Sequence, residues 1–284
     1  MDLQSQSQSN AHTINVQPKT FIQSTPPREN LMRKIVIANQ KGGVAKTTTA
    51  VNLAAGLALS GRKTLLIDMD PQANATYALL GPQELSLSTY DLLINDKALS
   101  EVIQPTKQAN LDVVPSQIDL AGAEVELISR VGGQTRLRTK LLEIDQGLGY
   151  QYVIVDAPPS LGFLTINALA ASDEVFIPVS TSVFALNGIA MLEDTISQVR
   201  RELNCPGLHI SGVLCTLYDN TNVAQDISGE IRSHFGDVVF EVKIPKNIKL
   251  EEAHSRSQSI FAYEPESKGS KAYEKLIGEV IARE

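Results

Sequence analysis

No run of about 18 apolar residues occurs anywhere in the 284-residue chain, so no membrane-spanning helix is expected. The first residues lack a basic segment followed by an apolar core, so no secretory signal is expected either. Cysteine is scarce. Cys205 and Cys215 sit ten residues apart with no C-x-x-C spacing, the usage of buried, reduced thiols in a cytosolic protein. Positive charge is in deficit, with 25 Lys and Arg against 32 Asp and Glu and a net charge of −7. That excludes a globally basic nucleic-acid binder and leaves room for a local cationic patch. Apolar residues, in contrast, make up 43% of the chain, which excludes global disorder. The length fits one large α/β domain or two small ones.

Residues 1–30 are rich in Gln, Ser, Asn and Pro and are expected to form a disordered polar leader, either an inert tail or a contact for a partner. Chemistry concentrates just beyond it. Ile35, Val36, Ile37 and Ala38 read as a buried strand that breaks at Gly42-Gly43, and a helical pattern opens at Lys46. Backbone N–H groups at such a helix start are unpaired, and a phosphate can accept their hydrogen bonds. In a P-loop of this kind Lys46 faces the β- and γ-phosphates and the Thr47 hydroxyl ligates Mg²⁺. Two positions miss the ordinary G-x-x-x-x-G-K-[ST] pattern, Gln40 and Ala45, and a second lysine, Lys41, precedes the glycine pair. A Cβ at position 45 is expected to crowd the phosphates or strain the loop without abolishing nucleotide binding.

Further along, apolar strands alternate with helical patterns. Helices are expected over 46–60, 89–94, 119–129, 134–144, 184–203, 223–235 and 271–284. Strands are expected over 64–67, 111–115, 152–156, 174–178, 209–216 and 239–244, and 86–107 reads as a surface insertion. The alternation predicts a single α/β domain over 31–284, a doubly wound, mostly parallel sheet with helices on both faces. Strand 64–67 delivers Asp68 and Asp70 to the carboxyl edge of the sheet, on one side of the chain. A lone helix cap would account for one of these carboxylates but not for both. Strand 152–156 ends in Asp156, a Walker B arrangement in which the carboxylate reaches Mg²⁺ through water.

Lys41-Gly-Gly-Val-Ala-Lys-Thr-Thr48, Asp68-Met-Asp-Pro-Gln-Ala-Asn-Ala-Thr76 and Asp156-Ala-Pro-Pro-Ser160, in this order, resemble the boxes of the ParA/MinD family of deviant Walker A ATPases. The resemblance covers about residues 32–284. It implies ATP and Mg²⁺ as cofactors and slow hydrolysis to ADP and phosphate. It implies a phosphate cradle of Lys41, Gly42, Gly43, Val44, Ala45, Lys46, Thr47 and Thr48. Lys41 would reach across a homodimer to the partner's nucleotide, Asp70 would position the attacking water, and Asp68 would support the Mg²⁺ shell. Pro245-Lys-Asn247 is similar to the family's loop beside the adenine, implying contacts from Tyr218, Pro245 and Asn247. A ParA-type member would bind DNA non-specifically and position a plasmid, a chromosomal region or a protein body such as a carboxysome. A cargo-bound, ParB-like or McdB-like activator would stimulate it, in the cytoplasm and on the nucleoid. The candidate DNA contacts are Arg200, Arg201, Arg232, Lys243, Lys246 and Lys249, against the plainer reading of scattered solvated cations. Three other readings are a MinD-like membrane ATPase, a nitrogenase-iron-protein-like reductase and a non-catalytic scaffold. The balanced charge of the last helix argues against the first, and Cys205 and Cys215 do not fit the second.

Overall fold

The computed structural model describes residues 32–142, 144, 147–182 and 188–284. The expected leader, and positions 184–187 of the expected helix over 184–203, lie outside the described residues. β1 (Arg33–Ile37) is central, with β5 (Tyr152–Asp156) on one side and β6 (Glu174–Ser180) on the other. Outward from β5 lie β2 (Thr64–Asp68), β4 (Leu111–Val114) and β3 (Gln104–Pro105), and beyond β6 lies β7 (His209–Thr216). All pairings are parallel except the two-residue β3, which runs antiparallel at the edge.

The strands are apolar throughout because both faces are covered. Ile35 and Ile37 join one core with Leu66 and Ile154, while Val36 joins the other with Leu65, Ile67, Val153 and Val155. On the first face lie α1 (Lys46–Leu59), α2 (Asn74–Leu80), α10 (Ile248–Ser255), α11 (Ile260–Tyr263) and α12 (Lys268–Ala282). On the second lie α3 (Thr89–Leu93), α4 (Leu99–Val102), α5 (Leu120–Ile128), α6 (Arg136–Leu141), α7 (Phe163–Ala170), α8 (Ile189–Glu202) and α9 (Asn222–Phe235). Each fully buried Leu, Ile or Val in these layers contributes about 1.5–3 kcal/mol of transfer free energy. α12 buries Tyr273, Leu276, Ile277 and Val280 against α1. Its close approach depends on Gly56, where any Cβ would run into the Ile277 side chain.

Three expectations are corrected. Residues 86–107 are not a surface insertion, since Leu92, Leu93, Leu99 and Val102 are all fully buried. Residues 239–244 do not form a strand. They touch β7 through one isolated bridge, Val213 to Val239, and a second bridge just beyond both segments joins Tyr218 to Pro245; between them the Glu279 carboxylate takes the N–H groups of Glu241 and Val242, each at 2.8 Å. Helices α2, α4, α7, α10 and α11 are additional to the elements expected from the sequence. No described helix is long and apolar enough to cross a membrane.

Candidate nucleotide site

Parallel register places Asp68 directly beside Asp156 on the neighbouring strand, and Asp156 beside Ile37, the last residue of β1. The three strand ends therefore converge at one point on the carboxyl edge. The loop after β1 is held from two sides. Asn39, almost fully buried, donates its amide to the Pro178 carbonyl at 2.8 Å and accepts the Lys41 N–H at 3.0 Å. The Thr216 hydroxyl donates to the Val44 carbonyl at 3.0 Å. Neither anchor carries a motif label, and only their contacts reveal the role.

Gly42 and Gly43 are exposed, and a Cβ at either would meet nothing within 4 Å, so the cradle is open. Gly43 has φ of 69°, which glycine adopts freely. Ala45 has φ of 63° and ψ of 35° at the cap of α1, so the expected strain is present, on the order of 1 kcal/mol. The first intrahelical bond of α1 is Thr49 N–H to the Ala45 carbonyl, so the N–H groups of Lys46, Thr47 and Thr48 precede the ladder. Lys46 folds back over the loop and donates to the Lys41 carbonyl at 3.3 Å. Burial pulls its ammonium below the usual lysine range, against the opposing pull of the Asp156 and Asp70 carboxylates.

The three aspartates differ. Asp68 is fully buried and committed to protein donors: Oδ2 accepts the Thr76 N–H and hydroxyl, each at 2.8 Å, and Oδ1 accepts the Asp70 N–H at 3.1 Å. By taking the Thr76 N–H it satisfies one open donor at the start of α2, so the capping reading explains this carboxylate. Asp70 is 8% exposed and accepts the Gln72 N–H at 3.0 Å. Asp156 is fully buried, and neither of its oxygens has a hydrogen-bond partner. Burial pushes its carboxyl well above the ordinary range, the Asp68 and Asp70 charges add to that, and the Thr47 hydroxyl and Lys46 ammonium oppose it. A buried, unpartnered carboxylate beside a threonine hydroxyl is a donor set that suits a hard cation.

The Lys41 ammonium donates to the Ser182 hydroxyl, just past the end of β6, at 3.0 Å. Tyr218 and Pro245 are brought together by their bridge, and the Lys243 ammonium lies 4.5 Å from the centre of the Tyr218 ring. Asn247 uses its side-chain oxygen to cap α10, through the Lys249 N–H at 2.9 Å. The candidate DNA cations come from several elements. Arg200 and Arg201 end α8, close to the start of β7, whereas Lys246 and Lys249 follow the bridge past the end of β7. Arg201 is paired with Glu202, Arg232 with Glu241, and Lys249 with Glu252, at 2.7–2.8 Å.

A glycine-rich loop and helix start at the carboxyl edge of a doubly wound sheet, with aspartates from two adjacent strands, define a P-loop nucleotide-binding protein. The family described as an AAA domain matches residues 32–210. The sporulation initiation inhibitor protein Soj of Bacillus subtilis is 45% identical over 250 residues, covering 87% of this chain and 98% of Soj. The chromosome partitioning protein ParA of Myxococcus xanthus is 44% identical over 254 residues, 89% of each chain. Among solved structures, cobyrinic acid a,c-diamide synthase from Mycobacterium smegmatis with bound ADP and magnesium superposes with a TM-score of 0.77. That protein is 34% identical, and the match covers 89% of this chain and 95% of the synthase. The chain belongs to the ParA/MinD family, among its Soj/ParA members.

Proposed function

We propose that the chain is a slow ATP hydrolase that dimerises on ATP, binds double-stranded DNA without sequence preference, and partitions or positions a cargo whose bound activator stimulates hydrolysis. The observation that carries the chemistry is Asp156, fully buried with both oxygens unpartnered beside Lys46 and Thr47. Lys46 and the N–H groups of residues 42–48 hold the phosphates. Thr47 and Asp156 would hold magnesium, with Asp68 supporting that shell, and Asp68 also accepts the Asp70 N–H. Bound magnesium supplies Lewis acidity at the phosphate oxygens. Asp70 orients the attacking water, and Tyr218, Pro245 and Asn247 border the base.

Lys41 supports the dimer. Its ammonium is held at an exposed position by a single bond to the Ser182 hydroxyl, which supports a reach to a partner's nucleotide. Dimerisation sets two weakly cationic surfaces on one body, and the gain in effective concentration makes DNA binding depend on ATP. Arg200 and Lys246 form no ion pair among the described residues and are the first candidates for phosphate contact. A membrane-binding role has less support, because the apolar face of α12 is already covered by α1. The test is light scattering with ATP and magnesium, run beside phosphate release and binding to unrelated DNA duplexes at rising salt. Lys41→Ala binds ATP but neither dimerises nor binds DNA. Asp70→Ala accumulates as a DNA-bound dimer, with hydrolysis down by about 100-fold. A Lys41→Ala protein that dimerises and binds DNA like the parent removes the role in trans.

A further inference from the structure

Thr76 occupies a junction that phosphate binding does not require. Its single hydroxyl proton goes to Asp68 Oδ2 at 2.8 Å, and its oxygen in turn accepts the Ser116 N–H at 2.8 Å. The directions are fixed by chemistry, since a backbone N–H only donates. Asp68 passes the constraint on, with Oδ1 accepting the Asp70 N–H at 3.1 Å. A second hydroxyl, from Thr89, braces the same strand end by donating to the Asp68 carbonyl at 2.8 Å and the Pro115 carbonyl at 3.1 Å. Thr76, Ser116, Asp68 and Thr89 are all at least nine-tenths buried. The segment they hold is not relaxed, because Ala73, between Asp70 and Thr76, sits at φ of 53°, a conformation alanine avoids by about 1 kcal/mol.

We infer that Thr76 is a positioning residue for Asp70. Its hydroxyl ties Asp68 to the Ser116 backbone, Asp68 fixes the Asp70 N–H, and the strained turn between residues 68 and 76 is thereby held in one arrangement. The inference rests on the reading of the chain as an ATP hydrolase with Asp70 at the reacting edge. Displacing a reacting group by an ångström costs on the order of 100-fold in rate, so loss of this tie is felt in turnover rather than in nucleotide affinity.

Thr76→Val removes the hydroxyl at nearly constant volume, and Thr76→Ser keeps it. Turnover is measured by phosphate release per active site, with sites counted by titration with a fluorescent ATP analogue so that unfolded molecules do not contribute. Hydrogen–deuterium exchange of peptides spanning residues 68–76 is followed in the nucleotide-free protein. Thr76→Val lowers kcat by about 10–100-fold with analogue affinity within about threefold of the parent, and the 68–76 amides exchange faster. Thr76→Ser returns both readings to near the parent. The inference is overturned if Thr76→Val keeps the parent's kcat and exchange protection, or if Thr76→Ser is as slow as Thr76→Val. A parent that releases no phosphate overturns the hydrolase reading and this inference with it. A parent that turns over with an equally active Thr76→Val overturns the inference alone.

Discussion

Glu174 and Asp156 are both buried carboxylates on the central sheet, at opposite edges. Glu174 opens β6 and meets Arg33 in a two-pronged pair, with both N–O distances at 2.7 Å. Burial alone would raise its carboxyl, but the Arg33 hydrogen bonds and charge win and hold it below the ordinary range. Asp156 closes β5 with no partner for either oxygen, and its carboxyl is pushed the other way. Backbone strain divides similarly. Before β4 and β7 the left-handed positions are Asn110 and Asn204, residues that tolerate them, whereas at the carboxyl edge they include Ala45, Ala73 and Leu217. At the amino edge the buried Glu174 carboxylate is paired with Arg33. The carboxyl edge carries uncompensated charge and strain, as an edge that receives a ligand does.

Breaking the satisfied edge has the largest effect on stability. Arg33→Ala leaves Glu174 buried and unpaired, and also removes the donor to the Val280 carbonyl at the end of α12. Unfolding in urea loses about 3 kcal/mol, and adding Glu174→Leu recovers most of it. If Arg33→Ala costs less than about 1 kcal/mol, the two edges are not different in kind.

The reverse change at the other edge stabilises. Asp156→Asn removes a charge that the fold disfavours, so the nucleotide-free protein gains about 2–4 °C in Tm while magnesium-dependent phosphate release is lost. The pH dependence separates the two carboxylates. Asp156 retains its proton in the folded state above its ordinary value of 3.8, so the folded state binds more protons and stability falls as pH rises through that window. Asp68 acts in the same sense, burial being the dominant cause. Glu174 sits below its ordinary 4.5, so its contribution is present above that pH and lost as pH falls through the folded value. Tm followed from about pH 4 to about pH 8 in the absence of nucleotide falls less steeply toward neutrality for Asp156→Asn than for the parent. Parallel curves for the two proteins would show that Asp156 is ionised at no cost.

The smallest effect is at Ala45. Ala45→Gly relieves the left-handed alanine but adds freedom to the unfolded chain, for a net gain of about 0.5 kcal/mol in urea unfolding. A loss of stability on that change would mean that the loop is unstrained and the alanine favourable.

What the sequence by itself determined was the local chemistry. The P-loop, both aspartate boxes and most strands are contiguous segments, whose apolar runs, glycines and caps announce themselves within a few residues. The doubly wound architecture was legible too, since strand and helix patterns alternate along the chain. Other features arise from residues far apart in sequence, and only the tertiary structure decided them. Asn39 ties the loop to Pro178 of β6, Thr216 holds it from β7, and Thr76 reaches Ser116 across forty positions of chain. The apolar residues of 86–107 look like those of any insertion until the second core closes over them. Residues 239–244 carry a strand's composition, yet the Glu279 carboxylate from α12 claims two of their N–H groups. Asp68 and Asp156 read alike as aspartates ending apolar strands. Which one is satisfied and which is left unpartnered depends on the donors that folding brings to each.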